Sequence, residues 1–235
     1  MPTKDIRFRS PLRVFEKATD GGLGRGHLGV VLSRRGVGKT ALLVGMAVDA
    51  LLQGRKVLHI STEESIEKLR AFYFEIFQHI CENQKLENRL ELRLDLERNR
   101  HILVYNRDSF SLEKLRGTAE FLRDAAHFEP DMVIMDGTPR FEHCEDWEID
   151  GVLALARDWN SEIWTSSLTH REGQECDARG IPLTVARFDD RLSLIVALES
   201  VADHVRVRIL KSHDRPEAPD INMELDPRTL LLRWR

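Results

Sequence analysis

Val30-Val31-Leu32-Ser33-Arg34-Arg35-Gly36-Val37-Gly38-Lys39-Thr40 runs from an apolar strand into a Gly-rich turn closed by Gly-Lys-Thr. It reads as a phosphate-binding loop. In the pattern G-x-x-x-x-G-K-[ST], glycines let backbone N–H groups curl around a phosphate, the Lys reaches its outer oxygens, and the hydroxyl holds Mg²⁺. Lys39 and Thr40 fill the last two roles, and Ser33 stands where the pattern has its first Gly. Leu42, Leu43, Met46, Ala47 and Ala50 then recur with helical spacing before Gly54, which predicts a helix over 40–52 whose N-terminus faces the loop. A second apolar strand at 56–61 follows and ends in Thr62-Glu63-Glu64. Strand before and helix after is the context that separates a phosphate loop from a ligand-free Gly-rich turn.

The 235 residues suffice for one α/β domain of ordinary size with a single core. Hydrophobic residues make up 42% and charged residues 31%, a globular profile that argues against disorder. No apolar run approaches the ~18 residues of a membrane span, and residues 1–13 are polar and basic without a signal-like apolar core. The expected location is cytoplasmic, with no membrane partner. Cys81, Cys144 and Cys176 lie far apart with no C-x-x-C pair, so they are expected as reduced thiols outside any zinc site. The net charge of −4 gives the chain no global attraction to nucleic acid. Lys4, Arg7, Arg9 and Arg13 cluster near the start, where a solvated surface arm is the favoured reading over a basic patch.

Along the chain, Asp20-Gly21-Gly22-Leu23-Gly24-Arg25-Gly26 is a tight connection into the first strand. Residues 66–81 carry Leu69, Phe72, Tyr73, Ile76, Phe77 and Ile80 on one helical face. Residues 90–96 alternate with period two, while Leu86, Leu90 and Leu94 also fit a helix, the preferred reading. Buried strands are expected at 101–105 and 132–135, helices at 111–126 (capped by Ser111) and 151–159, and a strand at 162–166. This alternation predicts a mostly parallel sheet flanked by helices. Runs at 192–198, 205–210, 221–225 and 230–234, separated by turn signals, read as antiparallel strands extending the sheet.

Two acidic positions complete the expected site. Asp136 ends the apolar run Met132-Val133-Ile134-Met135 and is placed to reach a metal's water shell, although Asp-Gly is also a common turn. Glu63 is a candidate base for a water near a γ-phosphate; the alternative is an N-cap box in which Ser61 or Thr62 begins the next helix and Glu64 or Ser65 serves its first turn, and both can hold at once, with Glu63 toward the site and Glu64 toward the helix.

These residues resemble the RecA-like P-loop ATPases, in particular the KaiC and RadA type proteins and the ATPase domain of replicative hexameric helicases. The resemblance spans nearly the whole chain: the Gly21-Gly22-Leu23-x-x-Gly26 approach, the Ser61-Thr62-Glu63-Glu64-Ser65 pair of glutamates, Asp136 as second Mg²⁺ anchor, the run Ser166-Ser167-Leu168-Thr169-His170 as sensor strand, and Lys211-Ser212-His213 as the Lys-x-Arg element that reaches a neighbouring subunit's nucleotide. It implies a single RecA-like domain over 1–235, with residues 1–20 as an N-terminal arm and 190–235 as C-terminal antiparallel strands. It further implies ATP and Mg²⁺ as ligands, with Ser33, Arg34, Arg35, Gly36, Val37, Gly38, Lys39, Thr40, Ala41 and Ser167 at the nucleotide, Thr40 and Asp136 at the metal, and Glu63, Lys211 and Arg215 in catalysis. A homo-oligomer, a hexamer among the options, with ATP between subunits is the implied assembly. DNA is an optional partner, facing 169–188, where Arg171, Arg179 and Arg187 are offset by Glu172, Glu175 and Asp177.

Three departures are visible. Ser33 replaces the first Gly, Ser167 stands where Gln or His is expected to sense the γ-phosphate, and His213 stands at the expected Arg, with Arg215 two residues on. Neutral His cannot fork onto phosphate oxygens as Arg does. The ParA and ArsA type of P-loop is a rival with a poorer fit to the late strands, and Phe15-x-x-Ala18 reads as core packing rather than a recombinase-like interface motif. The expected function is an Mg-ATP-dependent ATPase acting as an accessory motor or switch in DNA metabolism or signalling; the alternative is a catalytically weak nucleotide-binding scaffold.

Overall fold

The computed structural model describes residues 10–169 and 174–234. Its centre is a nine-stranded sheet in the order β3-β2-β4-β5-β1-β6-β7-β8-β9, built from β1 (Leu28–Ser33), β2 (Val57–Ser61), β3 (Arg100–Val104), β4 (Met132–Asp136), β5 (Glu162–Leu168), β6 (Leu194–Val201), β7 (His204–Ser212), β8 (Met223–Leu225) and β9 (Leu232–Trp234). The strands from β3 through β6 in that order all run parallel. β7, β8 and β9 are each antiparallel to the preceding strand. The antiparallel extension therefore begins one strand later than residue 190 implied, because β6 pairs in parallel with β1, Val30 opposite Ile195.

Pleating sends alternate residues to opposite faces, and each face has its own core. On one side Val31, Val57, Ile134 and Trp164 pack under α2 (Lys39–Leu52), α3 (Ile66–Asn83) and α4 (Arg89–Arg98). On the other, Leu32, Ile60, Met135 and Ile163 pack under α5 (Leu112–Ala126) and α6 (Asp146–Asp158). A short α7 (Leu183–Ala186) joins this second layer through Val185. The buried stripe of α3 is Leu69, Tyr73, Ile76 and Phe77, the spacing of a single helical face. Ser111 caps α5, its Oγ accepting from the Lys114 N–H at 3.2 Å.

Four expectations change. Part of the supposed N-terminal arm is α1 (Leu12–Ala18), which buries Leu12 and Phe15; the Phe15 ring lies 6.1 Å from that of Trp164, and Arg13 pairs with Asp49 at 2.7 Å. Lys4, Arg7 and Arg9 lie outside the described residues. Residues 89–98 are helical as preferred, but Leu90 and Leu94 are 73% and 50% exposed, while Leu96 is buried and Leu92 packs beside it. β3 is an edge strand with only Arg100 buried, not a fully buried one. α6 starts five residues before 151, its first turn closed by the Glu145 N–H donating to Glu148 Oε2 at 2.8 Å. Cys81 and Cys144 are buried and Cys176 exposed, all as free thiols. Among the described residues no helix is long and apolar enough to cross a membrane.

Candidate functional site

The ends of β1, β2, β4 and β5 converge at the carboxyl edge of the parallel strands, where open α/β sheets place their ligand crevice. Out of β1 the chain turns through Arg34 and Arg35, both exposed, and enters α2 at Gly38. Gly38 has φ +116°, a backbone conformation that favours glycine, and a Cβ there would lie 2.8 Å from Leu225 Cδ2 and displace that side chain. The loop closes on itself where the first glycine of the pattern is missing: Ser33 Oγ donates to the Arg34 carbonyl at 2.8 Å and lies 3.5 Å from Lys39 Nζ. Burial holds the Lys39 ammonium below its ordinary lysine value, opposed by the carboxylates of Asp136 and Glu63. Ala41 is buried in the first turn of α2, whose leading N–H groups have no intrahelical partner.

Residues 96 apart in sequence then meet: Thr40 Oγ1 donates to Asp136 Oδ2 at 2.7 Å. The other oxygen, Asp136 Oδ1, accepts from Ser166 Oγ at 2.7 Å, and Ser166 Oγ accepts from the Gly137 N–H at 2.9 Å. Asp136 is almost wholly buried, so these hydroxyls supply its required partners. No protein-family model matches the chain, and no curated protein matches it.

Glu63 stands one strand over, at the end of β2, its Oε1 accepting from Arg107 Nη2. Glu64 is committed to the helix, pairing with Lys68 at 2.7 Å, while Ser61 Oγ accepts from the N–H groups of Glu63 and Glu64 and Ser65 caps α3. The two glutamates thus separate into a site-side and a helix-side residue. Beneath the site, fully buried His59 on β2 lies 3.0 Å from the Tyr73 hydroxyl through Nδ1. Burial, with Arg100 adding to it and Asp136 opposing, lowers its pKa to about 4; burial also raises that of Tyr73. The imidazole is a neutral structural group at neutral pH.

The remaining expected residues fall elsewhere. Ser167 is on the opposite face of β5 from Ser166, because Trp164 and Ile163 define which side each parity faces. Lys211 is in register with Ile195, itself opposite Val30, about 10 Å back along the sheet from Ser33. Its Nζ donates to the Asp189 carbonyl and lies 3.2 Å from Asp189 Oδ2. Arg215 pairs with Asp20 and donates to the Ala18 carbonyl at 3.0 Å, and His213 Nε2 lies 3.0 Å from the Gly22 carbonyl oxygen. Lys211, His213 and Arg215 line a cleft of about 610 Å³ with Arg179, Asp189 and Arg208, and no residue of the phosphate loop is in that lining. His170, Arg171 and Glu172 lie outside the described residues.

Ser166 and Arg107 were not singled out from sequence. Ser166 ends the run read as a strand, so its parity was available, but its pairing with Asp136 depends on which strands neighbour each other. Arg107 carries no local signal at all.

Oxygen donors dominate the centre of the site. Among the described residues no cluster of three or more His, Cys, Asp or Glu side chains is placed for a metal. The Thr40 hydroxyl and Asp136 carboxylate are hard ligands of the kind Mg²⁺ takes when substrate phosphates and water fill its other positions.

Proposed function

We propose that this chain is a RecA-like P-loop ATPase that binds ATP with Mg²⁺ at the head of α2. The observation that carries the reading is the hydrogen bond from Thr40 Oγ1 to Asp136 Oδ2, with the half-buried Lys39 ammonium attracted by the same carboxylate. A hydroxyl following a Gly-Lys pair, tied to a strand-end carboxylate from a distant part of the chain, is the arrangement a phosphate-bound Mg²⁺ requires.

In this reading the first N–H groups of α2 and the Lys39 ammonium bind the phosphates, and Thr40 and Asp136 hold the cation. Mg²⁺, when bound, neutralises charge that builds on the phosphoryl oxygens. Ser166 keeps Asp136 oriented by occupying the oxygen that Thr40 leaves. Glu63 accepts a proton from the attacking water as ADP leaves. Lys211 and Arg215, which do not reach their own chain's loop, would act on the nucleotide of a second copy in a homo-oligomer, and the role proposed for that assembly is an accessory motor or switch in DNA metabolism or signalling.

A second reading, a catalytically weak nucleotide-binding scaffold, is favoured by one observation: Lys211, His213 and Arg215 are all engaged by groups of their own chain. Steady-state ATP hydrolysis across a range of protein concentrations, with and without single-stranded DNA, separates the two. Turnover that rises with concentration or DNA supports the motor or switch. Tight ATP binding with negligible turnover throughout supports the scaffold.

A further inference from the structure

The Glu63 side chain is fixed at two points by residues outside the phosphate loop. Its Cγ rests on Gly137, where φ is +86° and an added Cβ would overlap both Glu63 and the Thr62 hydroxyl. Its carboxylate is gripped by Arg107. Arg107 is delivered by a 3-10 turn, Arg107–Ser109, directly after β3. Four hydrogen bonds anchor that turn and the residues leading into it. The Tyr105 N–H donates to the Ser61 carbonyl at 3.0 Å, carrying the β3–β2 pairing past the strand end, and the Tyr105 hydroxyl lies 3.1 Å from Thr118 Oγ1 on α5. Asn106 Oδ1 accepts from the Asp108 N–H at 3.1 Å, and Lys114 Nζ donates to the Ser109 carbonyl at 2.6 Å.

We infer that Arg107 is the positioning residue for Glu63, holding its carboxylate over Gly137 on the Asp136 side of the site for proton acceptance. An exposed ion pair, here 43% and 37% accessible, contributes little to stability. The anchoring of its turn is what a positioning role needs, since small displacements of an acid or base can cost up to about 10²-fold in rate. Arg serves better than Lys because the N–H that meets Glu63 Oε1 has a direction fixed by the planar guanidinium, whereas an ammonium is a freely rotating point charge. The inference rests on the nucleotide reading of the site.

The test compares wild type, Arg107→Ala, Arg107→Lys, Glu63→Gln and the Arg107→Ala/Glu63→Gln double variant in ATP turnover, in equilibrium binding of a non-hydrolysable ATP analogue with Mg²⁺, and in thermal melting. Arg107→Ala is expected to lower kcat about tenfold or more with KM, analogue affinity and Tm unchanged, and Arg107→Lys to recover part of the loss. In the Glu63→Gln background, removing Arg107 should cost nothing further. An unchanged kcat in Arg107→Ala, a loss expressed as weaker analogue binding, or an equal fractional loss in both backgrounds would overturn the assignment while leaving the nucleotide site standing. A wild-type chain that binds no analogue would overturn the nucleotide reading, and the Arg107 assignment with it.

Discussion

Thr40 and Asp136 are joined by a 2.7 Å hydrogen bond between the first turn of α2 and the last residue of β4. The bond links two segments separated by β2, β3 and three helices in the chain. It exists because β4 and β2 lie side by side, Ser61 opposite Asp136, which brings both strand ends beneath the helix.

Ser166 is the partner that leaves Asp136 with no idle oxygen. Ser166→Ala should strand the buried Asp136 Oδ1 and leave the half-buried Gly137 N–H without its partner, at a cost of about 1–3 kcal/mol. Denaturant melts would show it as a lower midpoint with unchanged slope.

The pH dependence of folding should carry the signature of His59. Folded, it binds a proton only near pH 4, whereas an unfolded histidine does so near 6.5. Between those values the unfolded chain holds more protons, so stability is fully present above the upper value and falls as pH drops through the window, by on the order of 3 kcal/mol for this one group. His59→Gln should flatten the slope of stability against pH between 6.5 and 4 relative to wild type. Identical slopes would mean that the imidazole is not neutral in the folded chain.

Phe15→Ala tests whether α1 belongs to the core. Phe15 is buried against Trp164, and its truncation should cost about 3–5 kcal/mol. A free surface arm would tolerate the change within about 0.5 kcal/mol.

Lys211→Ala should leave the ATP affinity of an isolated copy unchanged, because Lys211 is paired with Asp189 and set back along the sheet from the phosphate loop. Calorimetric titration of dilute protein would check this. A tenfold weaker affinity would put Lys211 at its own chain's nucleotide.

What could be read along the chain was whatever local periodicity writes. The apolar runs of β1, β2 and β4 and the heptad-like stripe of α3 announce themselves because each buries a whole strand or one helical face. α1 escaped notice because seven residues carry too few apolar positions to establish a period. The first turn of α6 did so because Asp146-Trp147-Glu148 is polar and exposes its Trp. In α4 the period was correct and the face was not: Leu90/Leu94 and Leu92/Leu96 share the same spacing, and only packing against α2 chooses between them. At the site, Lys39, Thr40, Asp136 and Glu63 could be named from motif and strand ends. Ser166 and Arg107 required strand neighbours that no local pattern encodes.

Equilibrium binding of ATP to wild type and Lys39→Ala, with and without Mg²⁺, decides whether the head of α2 takes ATP through Lys39 with Mg²⁺ at Thr40 and Asp136. Saturable, Mg²⁺-strengthened binding of one ATP per chain is expected, lost in Lys39→Ala while Tm without nucleotide stays the same. Equal binding by both proteins, or none by wild type at millimolar ATP, would contradict it.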